Sequence, residues 1–220
     1  MTYLELCQTL RIRAGISGSG PDSTTAQIGE LALVVSLINT AYEKIQDKFA
    51  TWTFLKNTFT FPCVVAQSNY ATTVVTNFAN WREDSFRCYL TDTTNEQELI
   101  YYSWDDFRDS FLIGSSRATT GRPSAITINP DKTLTVWPIP DAIYTIGGEY
   151  FKKADVMSGD SDTPVFDRFH MLIVYEALMQ YAGDVGLPTI YTVAAAEAKI
   201  LWNKMKRNYL PRMYLGEPLA

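Results

Sequence analysis

The spacing of apolar residues changes twice along this chain, and that change limits the folds it can adopt. Near both termini apolar side chains recur every three or four residues, the period of an α-helix buried on one face. Between them, Thr, Val, Tyr and Phe alternate with polar residues at a period of two, which is typical of half-buried strands. The sequence therefore predicts helices at both ends and a β-rich block in the middle.

Four segments have helical spacing. We predict a short helix over residues 2–14 that ends at Gly15, and a long helix over residues 25–49 with its N-cap among residues 23–25. The apolar stripe of the long helix comprises Ile28, Leu31, Ala32, Val35, Ile38, Tyr42, Ile45 and Phe49. In the C-terminal part, Thr163 as N-cap and Pro164 at the first helical position favour a buried helix continuing to residue 182. A last helix is predicted over residues 189–208.

The middle block contains strand and turn signals in quick succession. Period-two alternation predicts strands over 58–61, 72–76 and 85–90, and the turn at 129–132 predicts a hairpin of 124–128 with 133–137. A further strand is predicted over 143–152 with a bulge at Gly147 and Gly148, and a short helix over 104–111. We therefore expect an α+β fold, in which residues 1–56 and 164–220 form a helical bundle domain and residues 57–163 form an inserted antiparallel β-rich domain.

Charge and composition exclude several classes of protein. The chain of 220 residues has 19 Lys and Arg against 24 Asp and Glu, a net charge of −5, so it is not a protein that coats nucleic acid with its whole surface. Residues 57–163 hold 8 of the basic and 14 of the acidic groups. The N-terminus has no signal-peptide pattern, and the longest apolar run, 31–35, is far shorter than a membrane span. We expect a soluble protein made in a cytoplasm.

Residues able to carry catalysis or hold a metal are scarce. One histidine, His170, and three dispersed cysteines leave nothing from which to build a zinc site. Ser17 misses the nucleophile-elbow pattern, and Gly18-Ser-Gly20 lacks the third glycine of a dinucleotide loop. Acidic clusters at 83–84, 105–109 and 155–162 could serve a glycosidase or bind a divalent cation, but solvated turns and a helix N-terminus are the simpler interpretation. We predict no catalytic residues, no metal and no cofactor.

The C-terminal segment combines basic and apolar residues. Lys199, Lys204, Lys206 and Arg207 surround Trp202 and Tyr209, and an apolar tail follows from Leu210. A tail of this composition favours docking on a partner protein, and nucleic-acid binding through the basic helix is an alternative.

Two stretches of the chain carry distinctive motifs. The first comprises Tyr3–Leu10, the Ala14–Pro21 loop, Gly29–Ala32, Ile38–Tyr42 and Trp52–Leu55. The second has a Gly121-Arg-Pro turn, a strand ending in Trp137-Pro-Ile-Pro-Asp141, and Glu149–Lys153, and it is followed by the helix from Phe169 to Ala182. Together these stretches resemble the head–tail adaptor proteins of tailed bacteriophages. The resemblance covers most of the chain, least over residues 62–100 and in the final tail.

The resemblance implies a structural subunit of the phage neck, made in the host cytoplasm and located in the virion. It would form a ring, expected to be dodecameric, that binds the portal protein and joins the DNA-filled head to a distal tail, nozzle or tail-completion protein. Genomic DNA would pass through the channel without specific binding, and no membrane would be involved. The portal-docking element would be Trp202, Lys206, Arg207, Tyr209, Leu210, Pro211, Arg212, Met213, Tyr214 and Leu215.

A second hypothesis is a glycan-binding or cell-wall-hydrolysing virion β-domain, which would use the acidic clusters together with Trp81, Trp104 or Trp137. The resemblance does not bring such an activity with it, because the sequence carries no glycosidase or zinc-peptidase signature.

Overall fold

A computed structural model of the chain describes residues 1–90 and 95–211. Its helices are α1 (Tyr3–Ala14), α2 (Gly29–Asp47), α3 (Trp104–Phe111), α4 (His170–Val185) and α5 (Pro188–Tyr209). Its strands are β1 (Lys56–Pro62), β2 (Asn69–Tyr70), β3 (Phe78–Trp81), β4 (Arg87–Tyr89), β5 (Gln97–Glu98), β6 (Ile100–Tyr101), β7 (Thr120–Gly121), β8 (Ala125–Ile128), β9 (Leu134–Trp137), β10 (Ile139–Pro140) and β11 (Thr145–Lys152). The predicted α+β class is confirmed: the terminal helices pack together, and antiparallel sheets are inserted between α2 and α4.

Two compact units divide the described residues. One contains residues 1–55 and those from Ala154 onward, and the other contains Lys56–Lys153. Residues 154–163 thus pack with the helices, although the sequence analysis grouped them with the β-rich block. The predicted domain boundaries stay a prediction, but the packing changes the charge distribution, because Asp155, Asp160 and Asp162 belong with the helices. Lys56–Lys153 contain nine basic and eleven acidic residues, a net charge of −2.

Helix α4 lies at the centre of the helical unit and packs against α1, α2 and α5. Nine of its sixteen residues are buried, which confirms the predicted buried helix. Helix α1 begins with a capping box between Thr2 and Glu5 and ends at Gly15, whose φ of 72° is the left-handed conformation that glycine adopts without strain. None of the helices in the described part of the chain combines the length and apolar character that crossing a membrane requires.

Helix α2 begins at Gly29, four residues later than predicted, and Ile28 before it is 85% exposed. The expected N-cap is wrong because the residues offered for it are engaged elsewhere: the Thr24 N–H and hydroxyl both donate to Asp160 Oδ1 at 2.6 Å, and the Ser23 hydroxyl donates to the same oxygen. The buried face of α2 is also rotated relative to the predicted stripe, since it includes Val34, Leu37, Ile38, Ala41, Tyr42, Ile45 and Gln46.

Helix α4 begins at His170 and not near Pro164, so the predicted N-cap at Thr163 is wrong. The Asp162 carboxylate accepts hydrogen bonds from the Ser158 and Gly159 N–H groups, which closes a turn instead of opening a helix. Residues 163–169 form no helix, and the Val165 N–H donates to the Tyr42 hydroxyl at 2.8 Å. Helix α5 agrees with its prediction within one residue at each end.

The β-rich unit holds three sheets. In the largest, β11 lies between β1 and β4, with β5 outside β4, and β3 also pairs with β11. The second has the order β2-β9-β8-β6 and contains the predicted hairpin as β8 and β9. Two short pairs, β6 with β8 and β7 with β10, are parallel. A shared core of fourteen buried residues fills the unit, and seven of them are Phe, Trp or Tyr.

Two details of the predicted strands are wrong. Residues 72–74 form a 3-10 turn, because the Val74 and Val75 N–H groups donate to Ala71 and Thr72 within the same segment. No bulge occurs at Gly147 or Gly148, which pair regularly with β1; the register shifts instead between Phe151 and Lys152, opposite β3. The predicted helix over 104–111 is confirmed as α3, with the Ser103 hydroxyl as its N-cap.

Candidate partner-docking surface

The C-terminal end of α5 carries the residues that the sequence analysis assigned to docking. Trp202 is a buried member of this set, with 7% exposure. Its indole N–H donates to the Glu176 carboxylate at 2.7 Å, and the Lys48 ammonium lies 3.9 Å from the centre of its ring. Trp202 therefore joins α5 to α4 and to the end of α2, and its side chain has little surface left for another protein.

Tyr209 and Lys206 are half-buried and fix the last turn of α5. The Tyr209 ring packs edge-on against Phe54 and Phe169, with centroid distances of 5.3 and 6.2 Å. Its hydroxyl donates to the Asp167 carboxylate; burial, followed by this hydrogen bond, raises the pKa of Tyr209 to about 12. The Lys206 ammonium lies 5.5 Å from the centre of the Phe49 ring. The helix end is thus held by aromatic contacts within its own unit.

The remaining docking residues lie toward solvent or outside the described residues. Arg207 and Pro211 are exposed, and Leu210 is half-buried after the helix ends. Arg212, Met213, Tyr214 and Leu215 lie outside the part of the chain that the structure describes. The structure therefore separates the predicted set into side chains that hold the helix end (Trp202, Lys206, Tyr209) and side chains that follow or surround it.

His170 is engaged through both of its ring nitrogens by main-chain groups. Its Nδ1 lies 2.7 Å from the Met1 amine and its Nε2 lies 2.8 Å from the Phe166 carbonyl oxygen. The neutral ring with its proton on Nε2 satisfies both contacts. Burial is the main cause that lowers the pKa of His170, and the positive Met1 amine adds to it. The geometry is that of a histidine joining the start of α1 to the start of α4.

Two of the acidic clusters, 105–109 and 155–162, are engaged in hydrogen bonds and ion pairs. Hydrogen bonds from Thr24 hold the pKa of Asp160 below its usual value, and those from Gly159 and Ser158 do the same for Asp162. In α3, Arg108 pairs with Asp105 at 3.2 Å and with Asp109 at 2.9 Å. Among the described residues, no group of three or more His, Cys, Asp or Glu side chains is arranged to hold a metal ion.

The tryptophans proposed for glycan stacking do not share an exposed platform. Trp81 is buried, and its indole N–H donates to the Lys132 carbonyl at 2.7 Å. Trp137 stacks on Phe111 with a centroid distance of 4.5 Å, and its N–H donates to the Ser116 carbonyl. Trp104 is half-buried at the start of α3. These rings therefore contribute to packing rather than to a sugar-binding face.

A polar groove that the sequence did not indicate lies beside β1, β4 and β11. It has a volume of about 490 Å³, and its floor includes Gly147 and Gly148. Within it, Glu149 pairs with Lys56 at 2.8 Å and with Arg82. Partial burial acts to raise the pKa of Glu149, but the two ion pairs outweigh it and lower the pKa. The charges of this groove neutralise one another, and nothing in it resembles a catalytic arrangement.

Comparison with known proteins gives one match. A family model described as SU10 adaptor protein matches residues 1–216. No curated protein matches the chain.

Proposed function

The chain belongs to the SU10 adaptor protein family of phage head–tail adaptors, and we propose that it forms an oligomeric ring in the phage neck that docks on the portal protein. In this proposal a distal tail, nozzle or tail-completion protein binds the other side of the ring, which is expected to be dodecameric. Genomic DNA passes through the channel without specific binding. The role is structural and not catalytic, in keeping with the family.

The family match over residues 1–216 is the observation that carries the proposal. The end of α5 supports the choice of docking element. Because Phe54, Phe169 and Asp167 hold Tyr209 in place, the chain leaves α5 at a fixed position. A segment that starts from a fixed position loses less conformational entropy when it binds than one that starts from a mobile end.

The proposed docking element is therefore divided by role. Trp202, Lys206 and Tyr209 position the end of the helix, whereas Leu210, Pro211 and residues 212–215 contact the portal and the exposed Arg207 stands at the edge of this contact. Met213, Tyr214 and Leu215 supply apolar area, and Arg212 supplies a charge next to it. Aromatic and Arg side chains often dominate the energy of protein interfaces.

A truncation tests this division. We expect a chain that ends at Pro211 to keep its helical content, because α5 is complete, but to bind the portal protein of the same virus at least about tenfold more weakly. A full-length variant with Met213, Tyr214 and Leu215 replaced by serine is the matched control for length, and it should lose affinity to a similar extent. Biolayer interferometry on immobilised portal measures both. Unchanged affinity in both variants would show that docking uses another surface.

A further inference from the structure

Helices α2 and α5 both pack against α4 and run in the same direction. Glu30 at the start of α2 accepts a hydrogen bond from Tyr181 near the end of α4, while Lys44 near the end of α2 pairs with Glu176 further toward the start of α4. Helix α2 is therefore antiparallel to α4. The contact of Trp202 with Glu176 and that of Tyr209 with Asp167 give the same relation for α5. Two helices antiparallel to a third are parallel to each other.

The solvent-facing stripe of α5 is apolar in its first half and basic in its second half. We define the α5 outer face as Val193, Ala196, Ile200, Lys204 and Arg207, whose steps of three and four residues place them on one side of the helix. All five are exposed, Val193 at 59% and Ile200 at 50%. Exposed β-branched side chains in a row on a helix are unusual on a surface that faces only water.

Helix α2 presents a stripe of the same length with acidic residues at its end. We define the α2 outer face as Leu33, Ser36, Thr40, Glu43 and Asp47. Leu33 is 40% exposed, and Ser36 and Thr40 line a groove of about 380 Å³ together with Ala32, Gln27 and Thr24. Both stripes span fifteen residues, and their fourteen steps of about 1.5 Å give a length of about 21 Å.

The charges at the ends of the two stripes are opposite and unpaired. Within the described part of the chain, Glu43, Asp47, Lys204 and Arg207 take part in no ion pair. The two lysines that flank the α2 stripe are engaged internally, Lys44 with Glu176 and Lys48 with the Trp202 ring. Each stripe thus ends in two charges of the same sign, which have no ion-pair partner among residues 1–90 and 95–211.

We propose that adjacent copies of this chain meet with the α5 outer face of one copy on the α2 outer face of the next. Aligned in parallel, Val193 lies opposite Leu33, Ile200 opposite Thr40 and the groove, and Arg207 opposite Asp47. Rotation about an axis along the helices preserves the parallel direction of α2 and α5 from copy to copy. A contact of α5 with α5 about a two-fold axis in that same direction would instead place basic residues against basic residues. The contact is therefore heterologous, the kind that closes into rings.

This inference rests on the proposed oligomeric function and identifies the surfaces that build the oligomer. Cross-linking between single cysteines tests it in the absence of portal. The substitutions are Ser36→Cys and Ala196→Cys, both at exposed positions in the middle of the stripes. The native cysteines give a low background because all three are buried, and burial raises the pKa of Cys7 to about 12 and that of Cys63 to about 11.

Treated with a short bismaleimide at high protein concentration, a mixture of the two variants should give cross-linked dimers, and either variant alone should not. A chain carrying both cysteines should give a ladder of oligomers on a denaturing gel. Dimers no more abundant than in the unsubstituted chain, or equal dimer yields from the single variants, would overturn the proposal. Because portal is absent, this result is separate from the truncation result.

Charge reversal in the same assay tests the pairing. Glu43→Lys with Asp47→Lys should lower the yield of the cross-link about tenfold, since like charges then face each other. Lys204→Glu with Arg207→Glu in the neighbouring copy should restore it. Glu83→Lys with Asp84→Lys, exposed in the β-rich unit, is the matched control and should change nothing. A reversal without effect, or one that the second reversal does not rescue, would contradict the proposed pairing.

Discussion

Gly148 shows how one residue without a side chain allows an aromatic core to close. A Cβ added at this position would lie 3.1 Å from the Phe59 ring and 3.2 Å from the Phe86 ring. Both rings belong to the core of the β-rich unit, and Phe86 is fully buried. Neither can move without displacing its neighbours, because Phe59 also contacts Trp81 at a centroid distance of 4.9 Å. The glycine is therefore explained by close packing and not by a bulge.

We expect Gly148→Ala to lower the free energy of unfolding by about 1–3 kcal/mol, the usual cost of overpacking a core. Gly183→Ala is a control that should change the free energy of unfolding in the opposite direction. Gly183 lies in α4 with nothing within 4 Å of an added Cβ, so alanine should raise stability by about 0.5–1 kcal/mol through helix propensity. Urea denaturation of both variants measures the difference. A neutral Gly148→Ala would mean that Phe59 can give way.

His170 predicts a pH dependence that can be isolated, because it is the one histidine in the sequence. Its folded-state pKa is lowered by burial and by the positive Met1 amine, with Asp167 and Glu5 opposing the shift. As the pH falls below the unfolded pKa of about 6.5, the unfolded chain takes up a proton that the folded chain does not. Stability must therefore fall with pH until the folded pKa is reached.

The free energy of unfolding should decrease between about pH 6.5 and 5.5 by at most about 1.4 kcal/mol per pH unit. His170→Gln should reduce the change in the free energy of unfolding per pH unit over this range. The matched control Gln97→His adds a histidine at an exposed position and should leave this slope unchanged. The lowered pKa values of Asp160 and Asp162 act at lower pH and do not interfere. An equal slope in the His170→Gln variant would contradict the assignment.

Two carboxamide side chains join α2 to the segment that precedes α4. Gln46 donates to the Asp155 carbonyl and accepts from the Asp155 N–H, both at 2.9 Å. Asn39 makes the same pair of bonds with Met157, at 2.8 and 3.2 Å. The two side chains bond to the backbone N–H and C=O groups of Asp155 and Met157, as a neighbouring strand would. They also explain why residues 154–163 pack with the helices, although their composition resembles a loop of the β-rich block.

Gln46→Glu removes the donor and places a carboxylate at a position that is 1% exposed. We expect a loss of about 1–3 kcal/mol in the free energy of unfolding, the cost of an unsatisfied buried group, together with faster amide hydrogen exchange in residues 154–158. Gln97→Glu, on the exposed strand β5, makes the same chemical change without burial and should be neutral. Equal effects of the two substitutions would show that the hydrogen bonds of Gln46 with Asp155 contribute nothing to the free energy of unfolding.

Local signals were sufficient for some elements and misleading for others. Helix α3 and the β8–β9 hairpin were predictable because Ser103 and the turn at Asn129 act on residues next to them. The starts of α2 and α4 were not, because Thr24 and Thr163 look like caps in the sequence. Thr24 donates to Asp160 instead, and Asp162 beside Thr163 closes a turn with Ser158. The burial of Trp202 likewise depends on Glu176, 26 residues away, which no local pattern reveals.

Across the entire chain, the insertion of the β-rich unit has a simple geometry. Lys56 at the start of β1 pairs with Phe151 near the end of β11, so the chain enters and leaves the unit at neighbouring points, about 5 Å apart between Cα atoms. Each unit also has its own buried core. Insertions of this kind, with adjacent ends and a separate core, can fold independently of their host.

Replacing residues 57–152 with a short Gly–Ser linker should therefore leave a folded helical protein. Its far-ultraviolet circular dichroism should be that of a helical bundle, and its unfolding should stay cooperative because the contacts of α4 with α1, α2 and α5 are all retained. The excised chain Lys56–Lys153 is the matched counterpart and should have a β-type spectrum.

If portal docking uses the end of α5, the helical protein should bind portal as the full chain does. Non-cooperative unfolding of the helical protein would mean that the bundle depends on its insertion, and intact folding with lost binding would move portal recognition into the β-rich unit.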